Sequence, residues 1–249
     1  MKIKNKKRVD DMTGLMKIIH TENIRKTFGD FVALDNINID VESGDFFGLF
    51  GPNGAGKTTM MRIMTCQVEP SSGEASVLGT DVKNSVEVKK KIGVVPEYES
   101  PPSFLTAEEF LSFVCRVRNI DTKNIEYWLN FFDLSKKKKT LCKDLSKGMR
   151  QKLMLASAFI HKPEILFLDE PFINLDPIYQ KKVREYLIDY VKNGNTIFLC
   201  SHILEIAEKL CNKITIINNG KIIGNGRLDE LRKRKDESLE DVFCRLVEK

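Results

Sequence analysis

Apolar positions along the chain follow two periods, and together these predict a fold of mixed strands and helices. The short apolar runs FFGLF, ILFLD and TIFLC suit strands that are buried on both faces. A stretch with apolar residues at helical spacing follows each run, and these stretches begin at Lys57, Pro177 and His202. From about residue 96 to residue 160, helical signals come without strand signals. The pattern therefore predicts an α/β core with an inserted helical lobe.

Local signals add detail to this outline. Short strands are expected around residues 18–24 and 31–39, where apolar and polar positions alternate. Thr106 and Glu109 have the spacing of a capping box, which predicts that a helix begins directly after Thr106. Asn219-Gly220 separates two apolar runs and predicts a tight β-hairpin.

The same pattern suggests how the chain is organised. Residues 1–15 form a polar, basic leader that we expect to be disordered. A single domain is expected at residues 16–230, with its helical subdomain at about 96–160. Residues 231–249 are expected to form a helical extension.

Charge and composition argue against a nucleic-acid partner. The formal net charge is +5, but residues 1–15 alone hold five Lys/Arg and two Asp, which leaves only +2 for the rest. The basic run KKKK at 136–139 lies in a polar connector and is typical of a solvated loop. At 42% apolar and 30% charged residues, the composition is that of an ordinary globular protein.

The expected location is the cytoplasm. No apolar run approaches the roughly 18 residues that a membrane span needs. The basic N-terminal stretch is not followed by the apolar stretch of a signal peptide. The six cysteines show no CxxC pairing and are expected to be reduced core residues.

A glycine-rich loop carries the most specific chemistry. GPNGAGKTT matches G-x-x-x-x-G-K-[ST] in full, with a strand signal before it and a helix signal after it. Such a loop curls its N–H groups around phosphate oxygens, while the lysine reaches the β- and γ-phosphates and the next hydroxyl ligates Mg²⁺. The expected nucleotide contacts are Gly51, Pro52, Asn53, Gly54, Ala55, Gly56, Lys57, Thr58 and Thr59.

Two carboxylates follow the buried run ILFL. Asp169 and Glu170 stand at the carboxyl end of a predicted parallel strand, which is the edge where such sheets bind ligands. Asp169 is suited to hold Mg²⁺ through its water shell. Glu170 is suited to orient or deprotonate an attacking water.

A second anion site is predicted at LSKGM. Ser146 is a good N-cap and Gly148 leaves the backbone bare at the start of a predicted helix. Taken alone, this stretch could equally be a plain capped helix. The residues by themselves do not say why one chain would need two phosphate sites.

GPNGAGKTT, LSKGM, ILFLDEP, NLDP and the Ser-His pair at 201–202 occur in the order and spacing typical of one family. From about Met16 onward, the chain resembles the ATP-binding subunit of ABC transporters. The resemblance implies a P-loop NTPase core with a mixed sheet, an antiparallel β subdomain and an inserted helical subdomain. It also implies an ATPase that binds ATP and Mg²⁺, and a head-to-tail dimer in which LSKGM of one subunit caps the ATP of the other.

The resemblance assigns further roles residue by residue. Phe28 matches the aromatic residue that stacks on adenine, although a half-buried aromatic at a strand end would look the same. Asp176 matches the aspartate of the dimer-interface loop, and Asp-Pro is also an ordinary helix start. His202 matches the histidine that contacts the γ-phosphate, which makes it catalytic together with Glu170. The signature residues that contact nucleotide are Ser146, Lys147 and Gly148.

Four residues at three sites depart from the common pattern. Lys147 replaces a glycine, Glu97 stands where the family has a Mg²⁺-ligating glutamine, and the bulkier Ile173-Asn174 precedes Leu-Asp. A carboxylate at 97 can still bind Mg²⁺. LSKGM and the acidic residues after Val-Pro are similar to prokaryotic exporter subunits.

The resemblance therefore implies an ATPase subunit that drives a separate membrane permease from the cytoplasmic face, as a homodimer or a heterodimer. A soluble ABC-type ATPase acting on ribosomes or DNA is the alternative. Translation factors of that type carry two modules, and chromosome ATPases carry long coiled coils, neither of which the sequence shows. A metabolic P-loop kinase has no need for LSKGM.

Overall fold

Two β-sheets organise the computed structural model, which describes residues 16–97, 101–234 and 236–248. The predicted leader at 1–15 lies outside the described residues. The strands are β1 (Lys17–Phe28), β2 (Phe31–Ile37), β3 (Asp40–Glu42), β4 (Phe46–Phe50), β5 (Ser72–Val77), β6 (Thr80–Asp81), β7 (Ile92–Val95), β8 (Ile165–Asp169), β9 (Thr196–Cys200), β10 (Lys213–Asn218) and β11 (Lys221–Gly226).

The larger sheet is mixed, as expected. Its order is β11-β10-β4-β9-β8-β7, with β11 antiparallel to β10 and the other neighbours parallel. Every residue of β4, β8 and β9 is buried, because helices and the second sheet cover both faces. All three strands end at the same edge, and that edge carries the site described below.

The second sheet is antiparallel and covers the other side of the core. It has the order β2-β1-β5-β6, and β3 pairs with β1. Apolar residues of this sheet pack with those on one face of the larger sheet, so the two sheets share a core. The antiparallel subdomain predicted by the family resemblance is therefore present.

Helices supply the remaining layers. They are α1 (Lys57–Met64), α2 (Ser85–Lys91), α3 (Ala107–Arg118), α4 (Ile125–Phe131), α5 (Lys147–Phe159), α6 (Pro177–Lys192), α7 (Leu204–Leu210), α8 (Leu228–Leu231) and α9 (Leu239–Val247). Of these, α3, α4 and α5 form the helical lobe between β7 and β8. No helix among the described residues is both long and apolar enough to cross a bilayer.

The structure contains the capping box at Thr106 and the β-hairpin turn at Asn219-Gly220 that the sequence predicts. The Thr106 hydroxyl accepts from the N–H of Glu109 at 3.2 Å, and Glu109 Oε2 accepts from the N–H of Thr106 at 2.8 Å. Asn219 and Gly220 take the positive φ values, +48° and +71°, that a tight hairpin turn between β10 and β11 requires.

One helix start was predicted too early. The sequence suggested a helix from His202, whereas α7 begins at Leu204. The N–H of His202 donates to Glu170, and the N–H of Ile203 donates to the hydroxyl of Ser201. These residues therefore belong to a turn that serves the site, and the helix follows it.

Candidate active site

A cavity of about 740 Å³ lies where β4 and β8 end. It is lined by Phe31, Ala33, Asn53, Gly54, Ala55, Gly56, Lys57, Thr58, Thr59, Glu97, Asp169, Glu170, Ile173 and His202. The fold thus brings the glycine-rich loop, the paired carboxylates, Glu97 and His202 to one place. These residues come from four segments of the chain that are far apart in sequence.

The loop between β4 and α1 is shaped for an anion. Gly54 and Gly56 have φ of +78° and +111°, which side chains disfavour, and a Cβ on Gly56 would lie 2.7 Å from the carbonyl oxygen of Ala33. No side chain caps the start of α1, and its first turn holds no acidic residue. The first amides of the helix are therefore available to a phosphate at the positive end of the helix dipole.

Lys57 is held inside this loop. Its Nζ donates to the carbonyl oxygens of Gly51 at 2.7 Å and Pro52 at 3.0 Å. An ammonium group has three donors, so one remains for a ligand. Gly51 and Pro52 do not line the cavity themselves, but they anchor Lys57, which does.

Three carboxylates line the cavity close to this loop. Asp169 is only 4% exposed, and its Oδ2 accepts from the hydroxyl of Thr58 at 3.4 Å. Burial and, after it, the nearby carboxylates of Glu97 and Glu170 raise the pKa of Asp169 to about 6, although Lys57 and the Thr58 hydroxyl act to lower it. A cation bound here would relieve this repulsion.

The donor set fits Mg²⁺. Thr58, Glu97 and Asp169 offer only oxygen atoms, which hard divalent cations prefer. Within the described residues, no three His, Cys, Asp or Glu side chains form a group that could hold a metal by themselves. This suits Mg²⁺, because it usually keeps several waters and takes further ligands from substrate phosphates.

Glu170 is fixed by three hydrogen bonds. Its Oε1 accepts from the backbone N–H of His202 and faces His202 Nδ1, both at 2.7 Å. Its Oε2 accepts from the hydroxyl of Ser201 at 2.9 Å. Glu170 itself has φ of +48°, a conformation that costs energy for a non-glycine residue and often marks functional sites. A carboxylate has about four acceptor positions, so one on Oε2 remains for a water.

These contacts also orient His202. Because Nδ1 faces a carboxylate oxygen, the hydrogen-bond network assigns the proton to Nδ1. The side chain of His202 is 62% exposed, whereas that of Glu170 is 7% exposed. His202 therefore spans from a buried carboxylate to the open cavity.

Some lining residues were not found from the sequence. Phe31, Ala33 and Ile173 line the cavity, and Ser201 supports Glu170. Phe28 does not line it, but Phe28 pairs directly with Phe31 across the β1–β2 hairpin. Directly paired residues project from the same face of a sheet, so the short turn after Phe28 could have indicated Phe31 as well.

The signature residues lie on a different surface. Ser146, Lys147 and Asp176 are exposed, and neither they nor Gly148 line the cavity. Ser146 caps α5 by accepting from the N–H of Met149 at 3.2 Å, and Asp176 caps α6. One chain therefore does not bring its own signature helix to its own phosphate loop.

Comparisons with known proteins agree with this geometry. The family model described as "ABC transporter" matches residues 34–173. The bacitracin transport ATP-binding protein BcrA of Bacillus licheniformis is 38% identical over 226 residues, which cover 90% of this chain and 74% of that protein. The Nod factor export ATP-binding protein I of Cupriavidus metallidurans is 34% identical and covers 86% of this chain and 72% of its own length.

Solved structures show the same fold. A structure titled as the ATP-binding subunit of an ABC transporter matches with a TM-score of 0.87 and 27% identity, over 92% of this chain and 99% of that one. A dimeric bacterial ABC transporter cassette matches with a TM-score of 0.77 and 24% identity, over 84% of this chain and 98% of that one. The chain belongs to the ABC transporter family, as an ATP-binding subunit.

Proposed function

We propose that this chain binds Mg-ATP in the cavity and hydrolyses it with Glu170 as general base. Two such subunits then close around two ATPs and power a separate membrane permease. The observation that carries the proposal is the position of Glu170, which His202 and Ser201 hold at the wall of a cavity that also contains Lys57 and Asp169.

ATP would be held mainly through its phosphates. The amides of the glycine-rich loop and the first turn of α1 accept the phosphate oxygens, and the third donor of Lys57 reaches the β- and γ-phosphates. Phe28 and Phe31, which are 49% and 63% exposed, offer aromatic faces on which adenine can stack. Stacking accounts for two exposed aromatic rings beside a polar cavity.

Thr58, Asp169 and Glu97 would hold the Mg²⁺. The bound ion would neutralise the developing charge on the phosphates. Glu97 replaces the glutamine of the common pattern and adds a negative charge to this wall, which favours cation binding.

Hydrolysis would proceed by proton removal from a water at Glu170. The carboxylate is fixed through Oε1 by His202 and keeps one acceptor position on Oε2 for that water. His202 holds Glu170 through its backbone N–H and Nδ1, so its exposed Nε2 is available to the γ-phosphate. The phosphate loop and Mg²⁺ ligands stabilise the charge, while Glu170 receives the proton.

The exposed signature residues serve the partner subunit. Ser146, Lys147 and Gly148 begin α5, where bare amides and a cation suit the γ-phosphate of an ATP bound by another subunit. Asp176 would lie at the same dimer interface. A homodimer and a heterodimer both satisfy this arrangement.

Export is the favoured direction of transport. One similar protein is named for Nod factor export, one for bacitracin transport and one, from Escherichia coli, for multidrug transport. We place the subunit on the cytoplasmic face of the membrane, bound to its permease. Action on ribosomes or DNA is disfavoured, because these relatives are named for transport.

A substitution at Phe104 tests whether the subunit binds a membrane permease. Phe104 lies on the entry to the helical lobe and is 76% exposed, which favours contact with a partner. Phe104→Asp should leave ATP binding by the free subunit unchanged but abolish its recovery with membranes that contain the cognate permease. Val86→Asp, at a 63% exposed position on α2, is the control and should co-purify normally. Normal recovery of the Phe104 variant would place the docking surface elsewhere.

A further inference from the structure

The loop at 171–176, here called the interface loop, is held between α5 and α6 by glutamine side chains. Gln151 Nε2 on α5 donates to the carbonyl oxygen of Pro171 at 3.1 Å. Gln180 Nε2 on α6 donates to the carbonyl oxygens of Phe172 at 3.3 Å and Leu175 at 3.2 Å. These bonds tie three backbone carbonyls of the loop to side chains of the two helices. The loop is therefore fixed by both helices.

Lys152 adds a charged contact from the same turn of α5. Its Nζ lies 3.0 Å from the ring centroid of Tyr179 and 3.7 Å from Asp176 Oδ2. The Lys152 side chain is only 13% exposed. The other oxygen of Asp176, Oδ1, accepts from the N–H groups of Ile178 and Tyr179 at 3.1 Å each. One carboxylate thus caps α6 and receives the cation of α5.

The start of α5 also touches the interface loop directly. A Cβ on Gly148 would lie 2.7 Å from the carbonyl oxygen of Asn174. Asn174 has φ of +62°, so the loop backbone turns sharply where it meets the helix. Three residues in the first two turns of α5, namely Gly148, Gln151 and Lys152, therefore contact the interface loop.

We propose that Gln151 and Lys152 are positioning residues that join the signature helix and the interface loop into one rigid surface for the partner subunit. Neither residue lines the cavity of its own chain. Their function is to keep Ser146, Gly148 and Asp176 in a fixed arrangement, so that both elements meet the partner's ATP together. This inference rests on the proposed ATP-bound dimer.

The test measures ATP-driven dimerisation in a Glu170→Gln background, where hydrolysis does not consume the ATP. Light scattering with size exclusion gives the Mg-ATP concentration for half-maximal dimer. Lys152→Met should raise this concentration about tenfold, because each subunit loses a poorly exposed cation–π contact and ion pair that hold its interface loop against α5. Lys152→Arg should restore the parent value, since it keeps the charge and can stack on Tyr179.

Two controls separate positioning from general damage. Lys181→Met removes a lysine of α6 whose side chain is 71% exposed, and it should leave dimerisation unchanged. ATP affinity of the monomeric Lys152→Met variant should equal that of the parent, because the phosphate loop is untouched. If Lys152→Met does not fold, Gln151→Leu is measured in its place. Its Mg-ATP concentration for half-maximal dimer should rise several-fold above that of the parent.

The outcomes distinguish failure of the ATP-bound dimer from failure of the positioning role. A Glu170→Gln parent that stays monomeric at saturating Mg-ATP contradicts the ATP-bound dimer itself. A parent that dimerises normally, with a folded Lys152→Met variant that dimerises at the same ATP concentration, overturns the positioning role alone. Loss of dimerisation that Lys152→Arg does not restore would also overturn it.

Discussion

Glu170→Gln is the substitution that most directly tests the chemistry of the site. Glutamine keeps the shape of the side chain and one carbonyl oxygen, which can still accept from the backbone N–H of His202. Its amide nitrogen would face Ser201, whose hydroxyl oxygen can accept a hydrogen bond. The loss in stability should therefore be about 1 kcal/mol, the net value of one hydrogen bond.

The effect on catalysis should be much larger. An amide cannot take a proton from water at neutral pH, and a general base contributes typically about 10²–10⁴-fold to a rate. At about 1.4 kcal/mol for each factor of ten, the barrier to hydrolysis should rise by about 3–5 kcal/mol. ATP affinity should not change, because the contacts of the phosphate loop and Lys57 do not involve Glu170.

Phosphate release under single-turnover conditions measures this effect separately from product release. A nucleotide titration and a thermal melt of the same variant should match the wild-type protein closely. Glu164→Gln is a matched control at an exposed carboxylate paired only loosely with Lys91, at 3.9 Å, and its hydrolysis rate should be normal. A Glu170→Gln variant that hydrolyses ATP at the wild-type rate would refute the role of Glu170 as base.

Two further predictions concern binding and stability. Lys57→Ala should lower ATP affinity about 100-fold or more, because charge-assisted phosphate contacts are lost; a titration showing unchanged affinity would contradict the phosphate-loop role. Burial, aided by Arg118, lowers the pKa of His161 to about 4 from an ordinary value near 6.5. Between these two pH values the unfolded chain therefore binds more protons than the folded protein. The free energy of unfolding should fall as the pH drops from 6.5 to 4, by about 3 kcal/mol at most. His161→Gln keeps a donor for the carbonyl oxygen of Ile92. Denaturant unfolding at several pH values should show that the difference in free energy of unfolding between wild type and variant becomes smaller as the pH falls. A difference that stays constant with pH would contradict the prediction.

The sequence by itself determined the features whose parts lie close together in the chain. The phosphate loop, the capping box at Thr106 and the Asn219-Gly220 hairpin each depend on a few consecutive residues and on their backbone preferences. The buried strands β4, β8 and β9 were visible as apolar runs, and their carboxyl ends predicted where Asp169 and Glu170 would lie. The motif order added the family, and with it the layout of the two sheets and the helical lobe.

Only the tertiary structure decided how these parts meet. Thr58 and Asp169 are hydrogen-bonded although 111 residues separate them, and the contacts of Glu170 with Ser201 and His202 span 31 and 32 residues. The cavity includes Phe31, which faces it through strand pairing that no motif records.

The contacts of α5 with the interface loop were also decided only by the tertiary structure. Gln151 and Lys152 continue an ordinary helical pattern in the sequence, and nothing local distinguishes them from solvated polar residues. Gln151 bonds to Pro171, and Lys152 contacts Asp176 and Tyr179, because the loop that follows β8 packs against α5. Periodicity gives the face of a helix, but the identity of its neighbours depends on how distant segments pack.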